Sequence, residues 1–206
     1  MVNSSLIRKI LIYFVYTMII VCFQVSFPEV LTFNHQVADL MFVYVCLVGY
    51  FFGIKDGLII GAVVGICRDV LATPILVGLD GKANTFYGIG LIVLLLISFF
   101  SANFFTKQTK RKFTFAMVDV IVMTVLYKSV GNIFVWLYNV LIVGNQYTVT
   151  LSQVLLDSIT TQFIINFICA VPIYLLLRFV GPYKGGINPV LLNRTEFGGD
   201  DTWLTI

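Results

Sequence analysis

Charge is scarce in this chain. Of 206 residues only 11% are Asp, Glu, Lys or Arg, while 59% are apolar; soluble domains carry roughly 25% charged residues. Too few polar side chains exist to cover a water-facing surface, which excludes a soluble enzyme and a disordered regulator. Histidine is nearly absent, with His35 alone. A histidine-based triad has one residue to draw on, and no Gly-x-Ser-x-Gly elbow accompanies it. The four cysteines (Cys22, Cys46, Cys67, Cys169) all sit inside apolar runs without metal-ligand spacing. They read as small hydrophobes, so neither a disulfide framework nor a metal site is expected, and no cofactor.

What the chain has instead is long apolar runs. A membrane helix needs about 20 mostly apolar residues, and six stretches approach this: 10–27, 38–54, 57–73, 84–105, 115–143 and 153–180. The fold class that follows is all-α, a polytopic bundle of about six transmembrane helices over residues 1–180, with membrane lipid as its solvent. The second and third stretches, separated by Lys55 and Asp56, read as a tight helical hairpin; a re-entrant hairpin is the lesser reading. From Gly181 the composition turns to Gly, Pro, Asn and acids, so 181–206 reads as a flexible tail.

The basic residues orient the bundle. With the N-terminus inside, the inner segments hold Arg8, Lys9, Lys55, Lys107, Lys110, Arg111, Lys112, Arg178, Lys184 and Arg194, and the outer loops hold Lys82 alone. The excess of Lys and Arg on one side places both termini in the cytoplasm. The run KQTKRK at 107–112 is a topology anchor near anionic headgroups rather than a nucleic-acid patch.

The most specific pattern is a glycine ladder. Gly49, Gly53, Gly57, Gly61 and Gly65 recur every four residues, and the next step lands on Asp69. Residues four apart share a helix face, so Gly57, Gly61 and Gly65 form a groove that admits another helix backbone closely. Packing within the chain is the plainer reading and packing against a partner the sharper one; leucine at 61 or 65 is expected to disrupt assembly while sparing insertion. Asp69 falls in the last turn before Pro74, where the helix dipole disfavours an anion, so a specific structural or partner-binding role is expected. Arg68 points about 100° away around the helix and is expected to snorkel outward.

Other polar groups mark the last two spans. Lys128, Asn132 and Asn139 fall within about 40° of one another on a helix, a stripe that should face protein rather than lipid. An intramembrane polar network of Lys128, Asn132 and Asp157 is expected, with Asp157 or Asp69 as the counter-ion of Lys128. Asn166 can bridge to a neighbouring helix or be satisfied locally. Pro172 removes one helical hydrogen bond and is expected to kink the sixth span.

Taken together, Asp39-Leu40, the Gly57-Gly61-Gly65-Asp69 ladder, Gly78-Leu79 and the series Thr161, Asn166, Pro172, Tyr174, Arg178 resemble the MreD family of rod shape-determining membrane proteins. The resemblance covers about residues 10–180; the long tail and Arg68 beside Asp69 depart from it. It implies a non-enzymatic scaffold in the bacterial cytoplasmic membrane that packs with an MreC-like bitopic protein. Through that partner it links MreB-like filaments to RodA and a class B penicillin-binding protein, in peptidoglycan synthesis during elongation. It also implies a bundle similar to the substrate-binding subunits of vitamin transporters, and leaves room for a homodimer. No nucleic acid is expected. Such a transporter subunit is the alternative function, although ILIYFVYTMIIVCFQV lacks the alanines with which those subunits dock. A lipid-modifying phosphotransferase would need Ala-Arg and further aspartates after Asp56-Gly57, where this chain has LIIGAVV.

Overall fold

The helix at the centre is apolar on every side. Its sequence, LMFVYVCLVGYFF, leaves no polar face to turn outward, and such a helix belongs inside a protein or a membrane. In the computed structural model this segment is α2 (Leu40–Phe52), and all thirteen of its residues are buried. The structure describes residues 4–26, 32–33, 36–71, 75–77, 83–85, 88–104, 112–138 and 151–183; the side chains of Asn132 and Asp157 lie outside the described set.

Five further helices pack around α2: α1 (Ser4–Ser26), α3 (Ile54–Leu71), α4 (Ile89–Phe104), α5 (Phe113–Tyr138) and α6 (Leu151–Phe179). The described part of the chain is therefore all-helical apart from two small antiparallel hairpins. In one, β1 (Thr32–Phe33) pairs with β2 (Gln36–Val37); in the other, β3 (Ile75–Val77) pairs with β4 (Ala83–Thr85). Both lie at the far end of the bundle, opposite the base where α1 begins and α6 ends. The second hairpin explains why the fourth helix starts at Ile89 and not at 84, as residues 83–85 are spent on β4.

Among the described residues, three helices are long and apolar enough to cross a membrane, over Leu6–Ser26, Phe113–Val130 and Gln162–Phe179. They mark a membrane protein. The other three fall short of the expectation of six full spans. At a rise of ~1.5 Å per residue α2 is about 20 Å long, against roughly 30 Å of hydrocarbon. Leu40–Phe52 and Ile89–Phe104 are shorter apolar helices, and α3 carries Lys55, Asp56, Arg68 and Asp69 in its 18 residues.

Between α2 and α3 the chain turns on Gly53 alone, at φ 85°, a left-handed conformation that costs glycine least. The hairpin expected there is formed. α1 joins the bundle through a narrow stripe, Tyr13, Thr17 and Val21, each buried and four residues apart, while Leu11, Phe14 and Met18 face outward. α6 continues through Pro172, which lies on its exposed side. The boundary of the tail needs correction: Gly181 and Pro182 are buried and Tyr183 is half-buried, because α1 and α3 supply hydrogen-bond partners there. Residues 184–206 lie outside the described set.

Candidate functional site

The glycine seam is occupied from within. α4 lies along Gly57, Gly61 and Gly65 so closely that a Cβ at Gly65 would stand 2.6 Å from Cα of Leu91, and one at Gly61 would stand 3.2 Å from the carbonyl oxygen of Leu94. On α2, a Cβ at Gly49 would come within 2.9 Å of the Ser98 carbonyl oxygen, and one at Gly57 within 2.9 Å of Cα of Gly49. Three backbones thus approach each other at one line, the close packing that small residues permit between helices in lipid. The groove is a contact within the chain.

At the far end the consecutive pair Arg68-Asp69, in the last turn of α3, divides between two other helices. Asp69 accepts from the backbone N–H of Gly88 (2.9 Å), Gly90 (2.9 Å) and Leu91 (3.0 Å). The first N–H groups of a helix have no partner within it, and here a carboxylate from a neighbouring helix caps α4. The cost of placing an anion at the end of α3 is offset by the positive end of the α4 dipole. Gly88 holds φ +95° as the chain enters α4, and a Cβ on Gly90 would collide with Asp69.

Arg68 turns inward, not outward as snorkelling predicts. Its Nη1 donates to Asp39 Oδ2 at 2.6 Å, and its guanidinium stands 5.1 Å from the centre of the Tyr127 ring. The reason is a nearby acceptor: Asp39 caps α2, accepting from Phe42 N–H at 3.0 Å through Oδ1, and is itself buried. A guanidinium finds in that carboxylate and the aromatic face a nearer partner than headgroups.

The same junction satisfies the non-helical backbone leading into α2. In α1, the Gln24 side chain donates to Ala38 O at 3.0 Å and accepts from Leu40 N–H at 2.7 Å. In α6, Gln162 donates to Val37 O at 2.7 Å and Asn166 accepts from Asp39 N–H at 2.9 Å. Asn166 Nδ2 also donates to Thr124 Oγ1 of α5 at 3.3 Å. Because α2 is short, its entry lies inside the bundle, where unpaired backbone groups are costly. Asn166 is therefore a bridge to α2 and α5.

The expected network around Lys128 is only partly described. Asn132, Asn139 and Asp157 lie outside the described side chains. Lys128 is half-buried, on the same helix as Tyr127 and next to it in sequence. Asp69, the other counter-ion expected for Lys128, is engaged by the start of α4. Pro172 stands apart from this junction on the exposed side of α6.

A second junction, at the base, was not expected from the sequence, where Asp56 only separates two spans and Arg8 and Lys9 only orient the chain. Asp56, buried in the first turn of α3, accepts from Lys9 Nζ at 2.5 Å, from Tyr13 OH at 2.8 Å and from Tyr183 OH at 2.5 Å. Lys9 also donates to Tyr183 OH at 2.6 Å, and Arg8 donates to the carbonyl of Gly181 at 3.3 Å. One carboxylate so ties α1, α3 and the segment after α6. A buried Asp within reach of a Lys on another helix is not visible as a motif; its only signal is the place of Asp56 at a helix start.

Burial first, then the hydrogen bond to Asp56 and the charge of that carboxylate, raises the Tyr183 hydroxyl above the ordinary tyrosine value of 10.0. The folded state therefore holds this proton more tightly than the unfolded chain does. Its contribution to stability is complete below the ordinary value and is lost as pH rises through the folded one. Tyr183→Phe is expected to cost about 1 kcal/mol at neutral pH and to flatten the decline of thermal stability above pH 10, read by melting in detergent across alkaline buffers.

A third cluster, Cys46, Ser101 and Asp119, lies at the meeting of α2, α4 and α5, with all three residues fully buried. The four cysteines are free thiols. Among the described residues there is no group of three His, Cys, Asp or Glu side chains placed to hold a metal ion. Compared with family models, with curated proteins and with solved structures, the chain matches none.

Proposed function

We propose that this chain is a non-enzymatic, multi-pass scaffold of the bacterial cell-elongation complex, seated in the cytoplasmic membrane with both termini inside. It packs with an MreC-like bitopic protein and so joins MreB-like filaments to RodA and a class B penicillin-binding protein. The reading rests on the ordered resemblance of residues 10–180 to MreD. The observation that supports it best is how the buried carboxylates are used: Asp39 binds Arg68 of α3, Asp56 binds Lys9 of α1, and Asp69 binds the start of α4. Such an interior holds a shape, and the partner must meet a face other than the glycine seam, which α4 already fills.

A substrate-binding subunit of a vitamin transporter is the second reading. It draws on the polar junction at the far end, where Arg68, Tyr127 and the half-buried Lys128 gather. Purification of the tagged chain from native membranes in mild detergent separates the two. Recovery of a single-span partner together with wall synthases is the expected result; recovery of ATPase subunits or a retained vitamin would overturn the scaffold.

A further inference from the structure

The apolar band that faces lipid is not equally tall around the bundle. On α1 the exposed large apolar side chains run from Leu6 to Val25, and on α5 from Phe113 to Ile133. At ~1.5 Å per residue each of these bands is roughly 30 Å tall, which matches the hydrocarbon of a typical bilayer. On α3 they run only from Ile59 to Leu71, and on α4 from Ile92 to Phe104, about 18 Å each. These two helices are neighbours along the glycine seam, with α1 packed beside α3 and α5 beside α4. One side of the bundle is therefore short, and it lies between two helices of full height.

Polar groups close the short band at both ends. At the base, Lys55 of α3 and Asn103 of α4 are exposed. At the far end Asp69 meets the first N–H groups of α4, about 21 Å from Lys55 along α3. Beyond it β3 and β4 form a sheet of two strands alone, and lipid-exposed sheet edges do not occur within hydrocarbon. A helix shorter than the bilayer gains nothing by tilting, which leaves snorkelling, association with another helix, or thinning of the lipid. Snorkelling at the far end is closed, because Arg68 is held inward by Asp39. Helix association in lipid draws on small residues, and the glycines of α3 are already turned to α4. The outer side presents Ile59, Val63, Ile66, Leu96, Phe99 and Phe100 instead. Acyl chains of a thinner bilayer fit that surface.

We propose that the α3–α4 face binds a locally thinned bilayer, taking phospholipids with shorter acyl chains than those around α1 and α5. This goes beyond the scaffold reading and does not depend on it. The long helices fit the same membrane by tilting, whereas the short pair draws the two headgroup layers together.

Quenching of tryptophan fluorescence in vesicles tests it, with the full chain in which Trp136 and Trp203 are replaced by phenylalanine. Single reporters are then placed at exposed positions, Leu96→Trp on α4 and Ile19→Trp on α1. Brominated dioleoyl phosphatidylcholine is the quencher, and unbrominated dimyristoleoyl, dioleoyl or dierucoyl phosphatidylcholine competes with it. At Leu96→Trp the dimyristoleoyl lipid should relieve quenching severalfold more effectively than the dierucoyl lipid, whereas at Ile19→Trp the dioleoyl lipid should do best. The same chain-length preference at both reporters would overturn the proposal. So would a lack of quenching at Leu96→Trp, which would place a second copy of the chain over that face. If the tryptophan variants fail to fold, wild type and Lys55→Leu decide the matter, since leucine at 55 extends the α3 band by one turn. The lipid that gives the highest melting temperature should be shorter than dioleoyl for wild type, and longer for Lys55→Leu than for wild type. An identical optimum for the two chains would overturn the proposal.

Discussion

Asp69→Ala is expected to cost about 3–5 kcal/mol, the range of the largest single-residue losses, measured as unfolding of the purified chain in detergent. The size follows from what the carboxylate does. It accepts from Gly88, Gly90 and Leu91 at 2.9–3.0 Å, and hydrogen bonds to a charged group contribute roughly 1.5–3 kcal/mol each before their mutual overlap is counted. Alanine leaves these donors without their acceptor at a partly buried helix start. Asp69→Asn keeps one acceptor oxygen and should lose about half as much. A loss below about 1 kcal/mol for alanine, the scale of an ordinary exposed cap, would show that α4 finds other acceptors and that Asp69 is dispensable.

Gly65→Ala should be nearly as harmful, while Gly61→Ala is mild. The first added methyl meets main chain, Cα of Leu91 at 2.6 Å, which cannot turn aside. The second meets the Leu94 carbonyl at 3.2 Å and the Ser98 Cβ at 3.4 Å, a gap that a few tenths of an ångström relieve. Overpacking of this kind costs about 1–3 kcal/mol, and the Gly65 variant belongs at the top of that range. Leucine at either position should unseat α4 and lower the melting temperature of the isolated chain. That outcome differs from the expectation drawn from sequence alone, in which leucine disrupts only assembly. Equal melting of both alanine variants and wild type would mean that the α3–α4 seam is looser than described.

These two sites show where sequence was informative and where it was not. The ladder Gly57-Gly61-Gly65-Asp69 is a local repeat, so helical periodicity alone places it on one face and marks Asp69 as a charge in need of a partner. The identity of that partner depends on where α4 begins, and the β3–β4 hairpin moves that start to Ile89. The inward turn of Arg68 is hidden from the sequence for a similar reason. Its pair, Asp39, is 29 residues away, and no helical spacing relates them. Asp56 carries the least sequence signal of all, since Lys9 and Tyr183 reach it from opposite ends of the chain. Apolar periodicity reveals elements and faces, whereas the pairing of isolated charges is decided by packing.

The shortness of the central helix bears on how the protein is made. Synthesis delivers the chain from its N-terminus, and α2 reaches the membrane before four of the five helices that will enclose it. Its hairpin with α3 arrives with two carboxylates already matched, Asp39 by Arg68 and Asp56 by Lys9 of the preceding helix. Asp69 must wait for α4, and Asp56 receives Tyr183 only when nearly the whole chain has emerged. Asp69 therefore passes through an interval of biogenesis before its α4 donors exist, and a ribosome stalled between α3 and α4 would leave a product that lacks that helix end.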